Sequence, residues 1–442
     1  MSRKRTILKG TLILTITGFL TRLMGFFYRI FLSHTIGEEG IGLYQLVFPV
    51  YALGFTFTSA GIELALSRSV SKYLALNNKK RASEMLYTGI ILSLSASVIF
   101  TLILQRYASF IANNFLHNTD TLDLLFILSY IFPFASIHSC IAGYYLGKKE
   151  TKLPASSQLF EQIFRIGSVI FIYYLSKIYP FKFNITFAVV GLLIGELASC
   201  LFCIKSMTGS ILPTSFPSIS AKNLIFCSKE LLVLASPVTA SRMLLNILQS
   251  IEAVSIPLSL QLYGMSKIDA LSTYGVFSGM ALPCILFPSA LTNAVSTMLL
   301  PTVAEMKTIN DQRSLNKIVQ KTVTSCTFMG ILCCLSFLLL GNAAGKLLFN
   351  STLAGKFILT LAWMCPFLYT NNTLISIING LGKTWTSFTL NALSLGVRIF
   401  CVFYIIPSYG IYGYLVGLLF SQIFMFISCL LFLYKKRKTE VS

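Results

Sequence analysis

Apolar stretches of about twenty residues recur from one end of this chain to the other, each long enough to cross a hydrocarbon core of about 30 Å. Lipid offers no partner to a free amide, so such stretches must be helical. The sequence has 442 residues, of which 55% are hydrophobic and 11% charged; a soluble protein would carry roughly 25% charged residues. About twelve spans are expected, starting near Ile7, Ile41, Ser83, Leu122, Gln158, Ile185, Glu230, Thr273, Val319, Gly355, Ser387 and Tyr412. Arg3, Lys4 and Arg5 precede the first, as in a signal peptide. That segment is too long for one, holds Arg22 and Arg29, and has no small-residue cleavage site, so it reads as a retained span.

The formal net charge of +20 would suggest nucleic acid in a soluble chain. Its placement argues otherwise. With the N-terminus in the cytoplasm, alternate loops and both tails hold about 24 of the Lys and Arg residues, against about 6 on the other side. The basic runs (Arg3–Arg5, Lys79–Arg81, Lys148–Lys152, Lys307–Lys321 and Lys435–Lys438) orient the helices and meet anionic headgroups of membrane lipids. The expectation is a multi-pass protein of the cytoplasmic membrane with both termini cytoplasmic and no nucleic-acid partner.

Most of the eleven cysteines lie inside spans, which predicts no disulfide framework. Cys200 and Cys203 form a C-x-x-C on an apolar helix and read as buried packing rather than a metal or redox pair. His34, His117 and His138 are isolated, and none makes a metal-ligand spacing. With no nucleophile elbow, phosphate loop or zinc motif, the chain reads as neither an enzyme nor a holder of a metal or cofactor.

The sequence repeats itself at offsets near 230, as an ancient duplication leaves it. Ser59-Ala60-Gly61 resembles Pro288-Ser289-Ala290, and Gly42 and Pro49 resemble Gly275 and Pro283. Gly147-Lys148 resembles Gly382-Lys383, Val190-Gly191-Leu192-Leu193 resembles Val416-Gly417-Leu418-Leu419, and Thr21-Arg22 resembles Ser241-Arg242. An even number of spans per half makes the repeats parallel. The expected fold is an all-α polytopic membrane protein with two pseudosymmetric six-helix lobes around a central cavity, an alternating-access design. The lobes would be residues 1–210 and 223–442, joined by a Pro/Ser-rich cytoplasmic linker at 211–222.

The first span is not uniformly apolar. Thr11, Thr15, Gly18, Arg22, Gly25 and Arg29 follow helical spacing, so a polar, small and cationic stripe runs along one face. A charge near the bilayer centre costs on the order of 3 kcal/mol on insertion scales and normally faces water or a partner. Thr239, Arg242, Asn246 and Gln249 form a similar face on the seventh span, which two-fold pseudosymmetry would turn towards Arg22 and Arg29. Three guanidinium forks would then converge, an arrangement that suits phosphate or pyrophosphate. The plainer alternative is that each arginine bonds carbonyls at a kink or pairs with a glutamate.

Glu161 and Arg165 stand one turn apart on the fifth span and read first as an intrahelical ion pair. Glu196 has no sequence-local partner; Arg165, Arg398, a coupling proton or Na⁺ are all open to it. Arg398 reads equally as a cavity residue or half of a structural pair, and Glu252 as a rim residue. Asn371, Asn372 and Asn379 read as helix-to-helix glue. Pro49, Pro133, Pro237, Pro283, Pro288 and Pro366 mark expected kinks.

The run from Lys9 to Arg29 resembles the opening of the stage V sporulation protein B family. So do Ile41-Gly-Leu-Tyr-Gln-Leu-Val-Phe-Pro49, Gly279-Met-Ala-Leu-Pro283 and Leu299-Leu-Pro-Thr-Val-Ala-Glu305. That family sits in the multidrug/oligosaccharidyl-lipid/polysaccharide exporter superfamily with MurJ-type lipid II flippases. Thr21-Arg22 and Gly25 match the start of the MurJ first-span pattern, whose arginines bind lipid pyrophosphate. Arg29 stands one position later than the second arginine of that pattern, with Ile30 where its acid follows. Ser278 and Gly279 stand where the MurJ eighth span has an arginine, and MurJ has two further C-terminal helices beyond the about twelve spans expected here.

The resemblance implies a flippase for an anionic lipid-linked sugar, serving spore-cortex peptidoglycan. It would lie in the membrane around the forespore, beside peptidoglycan-synthesis enzymes. The substrate-binding candidates are Arg22, Arg29, Arg242, Asn246 and Gln249; Glu161, Arg165, Glu196 and Arg398 are candidates for coupling to Na⁺, H⁺ or membrane potential, or for structural charge. A multidrug cation antiporter on the same fold would want carboxylates on the first or seventh span, where this chain is cationic. A non-transporting scaffold for cortex synthesis would gain nothing from intramembrane arginines.

Overall fold

The computed structural model describes residues 3–208, 220–308 and 312–441, and no strand occurs among them. The first two spans form a single helical run that breaks at Gly37 (φ 70°, ψ −174°), a backbone conformation that only glycine adopts without strain. Gly410 (φ 63°, ψ −158°) breaks the last run in the same way. Between these lie the third span, Lys79–Arg106, the fifth, Lys152–Ile178, and the sixth, Ile185–Thr208. The seventh is a long helix, Ala221–Leu262, and the eighth begins at Lys267. The ninth is Gln312–Phe349. The fourth and tenth are bent pairs, Thr119–Ser129 with Ile131–Gly147 at 42°, and Thr352–Ala362 with Cys365–Gly380 at 59°. Among the described residues ten apolar segments result when each bent pair is one span, and dividing the first and last runs at their glycines makes the twelve expected.

The duplication is sharper in the backbone than in the sequence. His117 (φ 51°) and Asn350 (φ 52°) are both left-handed and lie 233 residues apart. The next residues, Asn118 and Ser351, both cap the helix that follows, accepting from Asp120 N at 3.0 Å and Ala354 N at 3.1 Å. Pro133 and Pro366, again 233 apart, follow the two bends. At the far ends Lys149 (φ 64°) and Gly382 (φ 76°) close the helices. The N–H groups of Lys149 and Glu150 bond Leu146 and Tyr145, and those of Gly382 and Lys383 bond Asn379 and Ile378. The repeat therefore aligns Lys149-Glu150, not Gly147-Lys148, with Gly382-Lys383. The closing turn demands a left-handed backbone, and matching glycine to glycine missed that a lysine supplies it.

Packing divides the chain into two units. The first is Met1–Gly25 with Leu46–Ile247, and the second Phe26–Gln45 with Leu248–Ser442. The division falls inside the first span after Gly25, inside the second after Gln45 and inside the long seventh helix, so Arg22 belongs to the first unit and Arg29, with the hairpin around Gly37, to the second. Residues 211–219 of the expected linker at 211–222 lie outside the described residues, and the seventh helix already begins at Ala221. In the first unit Leu66, Val70, Met85, Leu86 and Ile141 form the core. In the second, Leu260, Val276, Ile285, Phe357, Ile358 and Tyr369 do so. Cys200 and Cys203 are buried, as expected, and the eleven cysteines are free thiols.

Helices in lipid gain little from hydrophobic burial and rely on close contact of small residues. Gly42 and Gly275 show this in the second unit: a Cβ on Gly275 would lie 2.2 Å from Glu38 O and 2.6 Å from Gly42 N. Gly275→Ala is expected to cost about 1–3 kcal/mol through forced separation of the two backbones. Gly18→Ala, where a Cβ meets nothing within 4 Å, is expected to leave the thermal unfolding midpoint in detergent unchanged. Equal midpoints for the two variants would contradict this close packing.

Candidate functional site

The first-span stripe is present as a continuous helical face. Cβ atoms built on Gly18 and Gly25 meet nothing within 4 Å, so the backbone there borders open space. Arg22 is exposed, and Arg29, two turns further along the same helix, is partly buried. Neither makes a hydrogen bond or ion pair with a described residue. Thr21 turns its hydroxyl back to Gly18 O at 3.1 Å and does not occupy its arginine neighbour. Among the described residues, the donors of both guanidinium groups are thus uncommitted.

The seventh-span face is spent differently. Thr239 packs on Gly61 so tightly that a Cβ there would overlap its hydroxyl at 1.9 Å. One Arg242 nitrogen reaches Ala60 O at 3.5 Å. The Asn246 amide donates to Thr56 Oγ1 at 2.6 Å and Ala52 O at 3.4 Å. These partners lie in and beside a π-helical segment of the second span, Thr56–Ala60. A π turn frees carbonyls from the regular ladder, and in a membrane they need donors from a neighbour. Asn246 is therefore committed to the second span, and Arg242 keeps only part of its fork. The first unit shows no contact between Arg242 and Arg22 among its described residues. Gln249 is exposed, with no partner among the described residues.

A buried polar cluster draws on four spans of the first unit. Glu161 and Arg165 pair on one helix, as their spacing predicts. Glu196 is 4% exposed. Its Oε2 lies 3.3 Å from His138 Nδ1, and its Oε1 accepts from the Tyr51 hydroxyl at 3.4 Å. His138 Nε2 lies 3.1 Å from both Ser157 Oγ and Ser199 Oγ. Sequence spacing made His138 look isolated because its partners come from other spans. The available signal was an unpaired glutamate in an apolar helix, which has to find a donor somewhere.

In the second unit Glu252 is 4% exposed and not at a rim. Its carboxylate takes a two-pronged bond from Arg398, Nε to Oε1 at 2.6 Å and Nη2 to Oε2 at 2.5 Å, and a third from the Tyr414 hydroxyl at 2.6 Å. Arg398 is thereby half of a structural pair. Asn371 joins its helix to the last span through Gln422, at 2.9 Å to both the backbone and side-chain oxygens.

Residues 7–307 match the family model described as polysaccharide biosynthesis protein, which is more than half of the chain. The chain belongs to that family. The matched residues include the first-span stripe, the seventh-span face and the buried His138 cluster, but not Arg398. Stage V sporulation protein B of Bacillus subtilis (strain 168) is 27% identical over 415 residues, 93% of this chain and 80% of that protein. Lipid II flippase MurJ of the same strain is 24% identical over 345 residues, 73% of this chain and 62% of that protein. A solved structure of lipid II flippase MurJ in an inward closed conformation superposes with a TM-score of 0.73 at 15% identity, covering 96% of this chain and 87% of that one. This member of the polysaccharide biosynthesis protein family therefore has a MurJ-like membrane fold.

Proposed function

We propose that this chain is an alternating-access flippase that carries an undecaprenyl-pyrophosphate-linked oligosaccharide or peptidoglycan precursor from the inner to the outer leaflet. One observation carries the reading: Arg22 and Arg29 share a helical face inside a membrane span, beside open space at Gly18 and Gly25, with no hydrogen-bond or ion-pair partner among the described residues. Keeping unpaired guanidinium groups at such a position is costly, so an anion that visits them is the simplest compensation. The fork of donors fits pyrophosphate oxygens. In this mechanism the arginines hold the pyrophosphate, hydrated space takes the sugars, and the isoprenoid tail stays in lipid. No covalent bond changes.

The related MurJ is named as a lipid II flippase and the related stage V protein as a sporulation protein, which favours lipid II as cargo and cortex synthesis as its use. Both termini would then be cytoplasmic, in the membrane around the forespore. The test is purified protein in liposomes loaded with lipid II on one leaflet, with arrival on the other followed by enzymatic accessibility. Protein-dependent exchange is expected. Vesicles in which lipid II stays on its original leaflet would overturn the reading and favour a scaffold.

A further inference from the structure

The hydrogen bonds around His138 determine where protons must be. The Ser157 hydroxyl lies 2.9 Å from Pro154 O, and the Ser199 hydroxyl 3.1 Å from Ser157 O. Carbonyl oxygens only accept, so each serine donates its one proton there. Both Oγ atoms then face His138 Nε2, at 3.1 Å each, as acceptors. All four contacts are satisfied together only if Nε2 carries a hydrogen. The other ring nitrogen, Nδ1, lies 3.3 Å from Glu196 Oε2. A neutral ring protonated at Nε2 would set a bare lone pair against an ionised carboxylate. One further proton therefore belongs between Nδ1 and Oε2, as imidazolium with carboxylate or as imidazole with carboxylic acid.

We infer that the His138–Glu196 pair is a single-proton store, loaded and emptied once in each transport cycle; the coupling rests on the flippase reading above. Glu161 and Arg165 cancel one another, so the loaded cluster is neutral and the empty one holds a single buried negative charge. Such a charge is costly in low dielectric, which gives the empty state a strong tendency to reload. Glu63 on the second span and Glu161 on the fifth are the other acids whose charge acts on His138.

Emptying the store changes the acceptor seen by Tyr51, the residue before Ala52, whose carbonyl holds Asn246. Proton occupancy thus acts on the second span beside its attachment to the seventh. The proton enters from one aqueous side and leaves to the other, and only N–H and O–H bonds change. His138, Glu161 and Glu196 also offer atoms within 4.8 Å of one another, a spacing that a metal cation tolerates. With Nε2 occupied by hydrogen and Nδ1 turned to the carboxylate, a proton fits the arrangement and a metal does not.

The chain has three histidines, so ¹⁵N-histidine spectra of the full-length protein carrying His34→Asn and His117→Asn report His138 alone. At about pH 7.5 we expect hydrogen on Nε2 and a proton shared at Nδ1, with a single release step that Glu196→Gln abolishes. A bare Nδ1 with no release step would overturn the store. In liposomes an imposed pH gradient is expected to speed lipid II exchange about fivefold or more, and not in Glu196→Gln. Tyr51→Phe, which spares His138, serves as a second variant and is expected to blunt the same response. A gradient response intact in both variants, or a response only to Na⁺, would overturn the coupling. Vesicles that never move lipid II refute the flippase reading and its coupling together, while the histidine spectrum decides the store by itself.

Discussion

Arg22→Ala is expected to slow lipid II translocation about 10- to 100-fold while leaving the protein folded, and Arg29→Ala to act similarly. Each guanidinium would give charge-assisted hydrogen bonds worth about 1.5–3 kcal/mol, and every 1.4 kcal/mol is about tenfold. The fold should not notice Arg22→Ala, because that side chain is exposed and takes no partner from the described residues. Arg22→Lys keeps the charge but loses the planar fork, so an intermediate rate is expected. A structural arginine would show the reverse pattern, a lowered unfolding midpoint with exchange intact in the surviving protein. Full exchange rates in both alanine variants would remove the stripe from the mechanism.

Glu252→Ala is expected to destabilise the protein strongly, and by more than Gly275→Ala does. Removing one partner of a buried ion pair strands the other, at a cost of about 3–5 kcal/mol. Arg398 would lose both prongs of its bond and Tyr414 its acceptor at once. The double variant Glu252→Leu with Arg398→Met should recover most of the loss, since replacing a whole buried pair by apolar residues is often neutral. Thermal unfolding in detergent checks both. A single variant that unfolds with the wild type would show that water already reaches the pair. Arg242→Ala makes a useful contrast, because it gives up one long contact to Ala60 and a charge interaction with Glu63 rather than a two-pronged bond to a buried acid.

The two arginine faces show how far linear spacing carries. Helical periodicity placed Gly18, Arg22, Gly25 and Arg29 on one face correctly, since a helix relates residues a few positions apart by geometry alone. The same periodicity aligned Arg242 and Asn246, but their use depends on the π segment Thr56–Ala60, far away in the sequence. Nothing local announces which carbonyls a distant helix will leave free. Glu161 and Arg165 were legible because both partners sit on one helix; Glu196 and Glu252 were not, because His138 and Arg398 come from other spans.

What the chain's linear order determined is its membrane class, its all-helical spans, its doubled design and the cationic stripe of the first span. Each follows from a rule acting within one segment or between two similar ones: the thickness of the bilayer, the need to satisfy backbone amides in lipid, and the period of a helix. What only the tertiary structure decided is the company each buried charge keeps. The His138–Glu196 store, the Glu252–Arg398 pair and the anchoring of Asn246 join residues from separate spans. In low dielectric a charge or a freed carbonyl must find some partner, but which one depends on helix packing and on single close contacts such as Gly61 with Thr239.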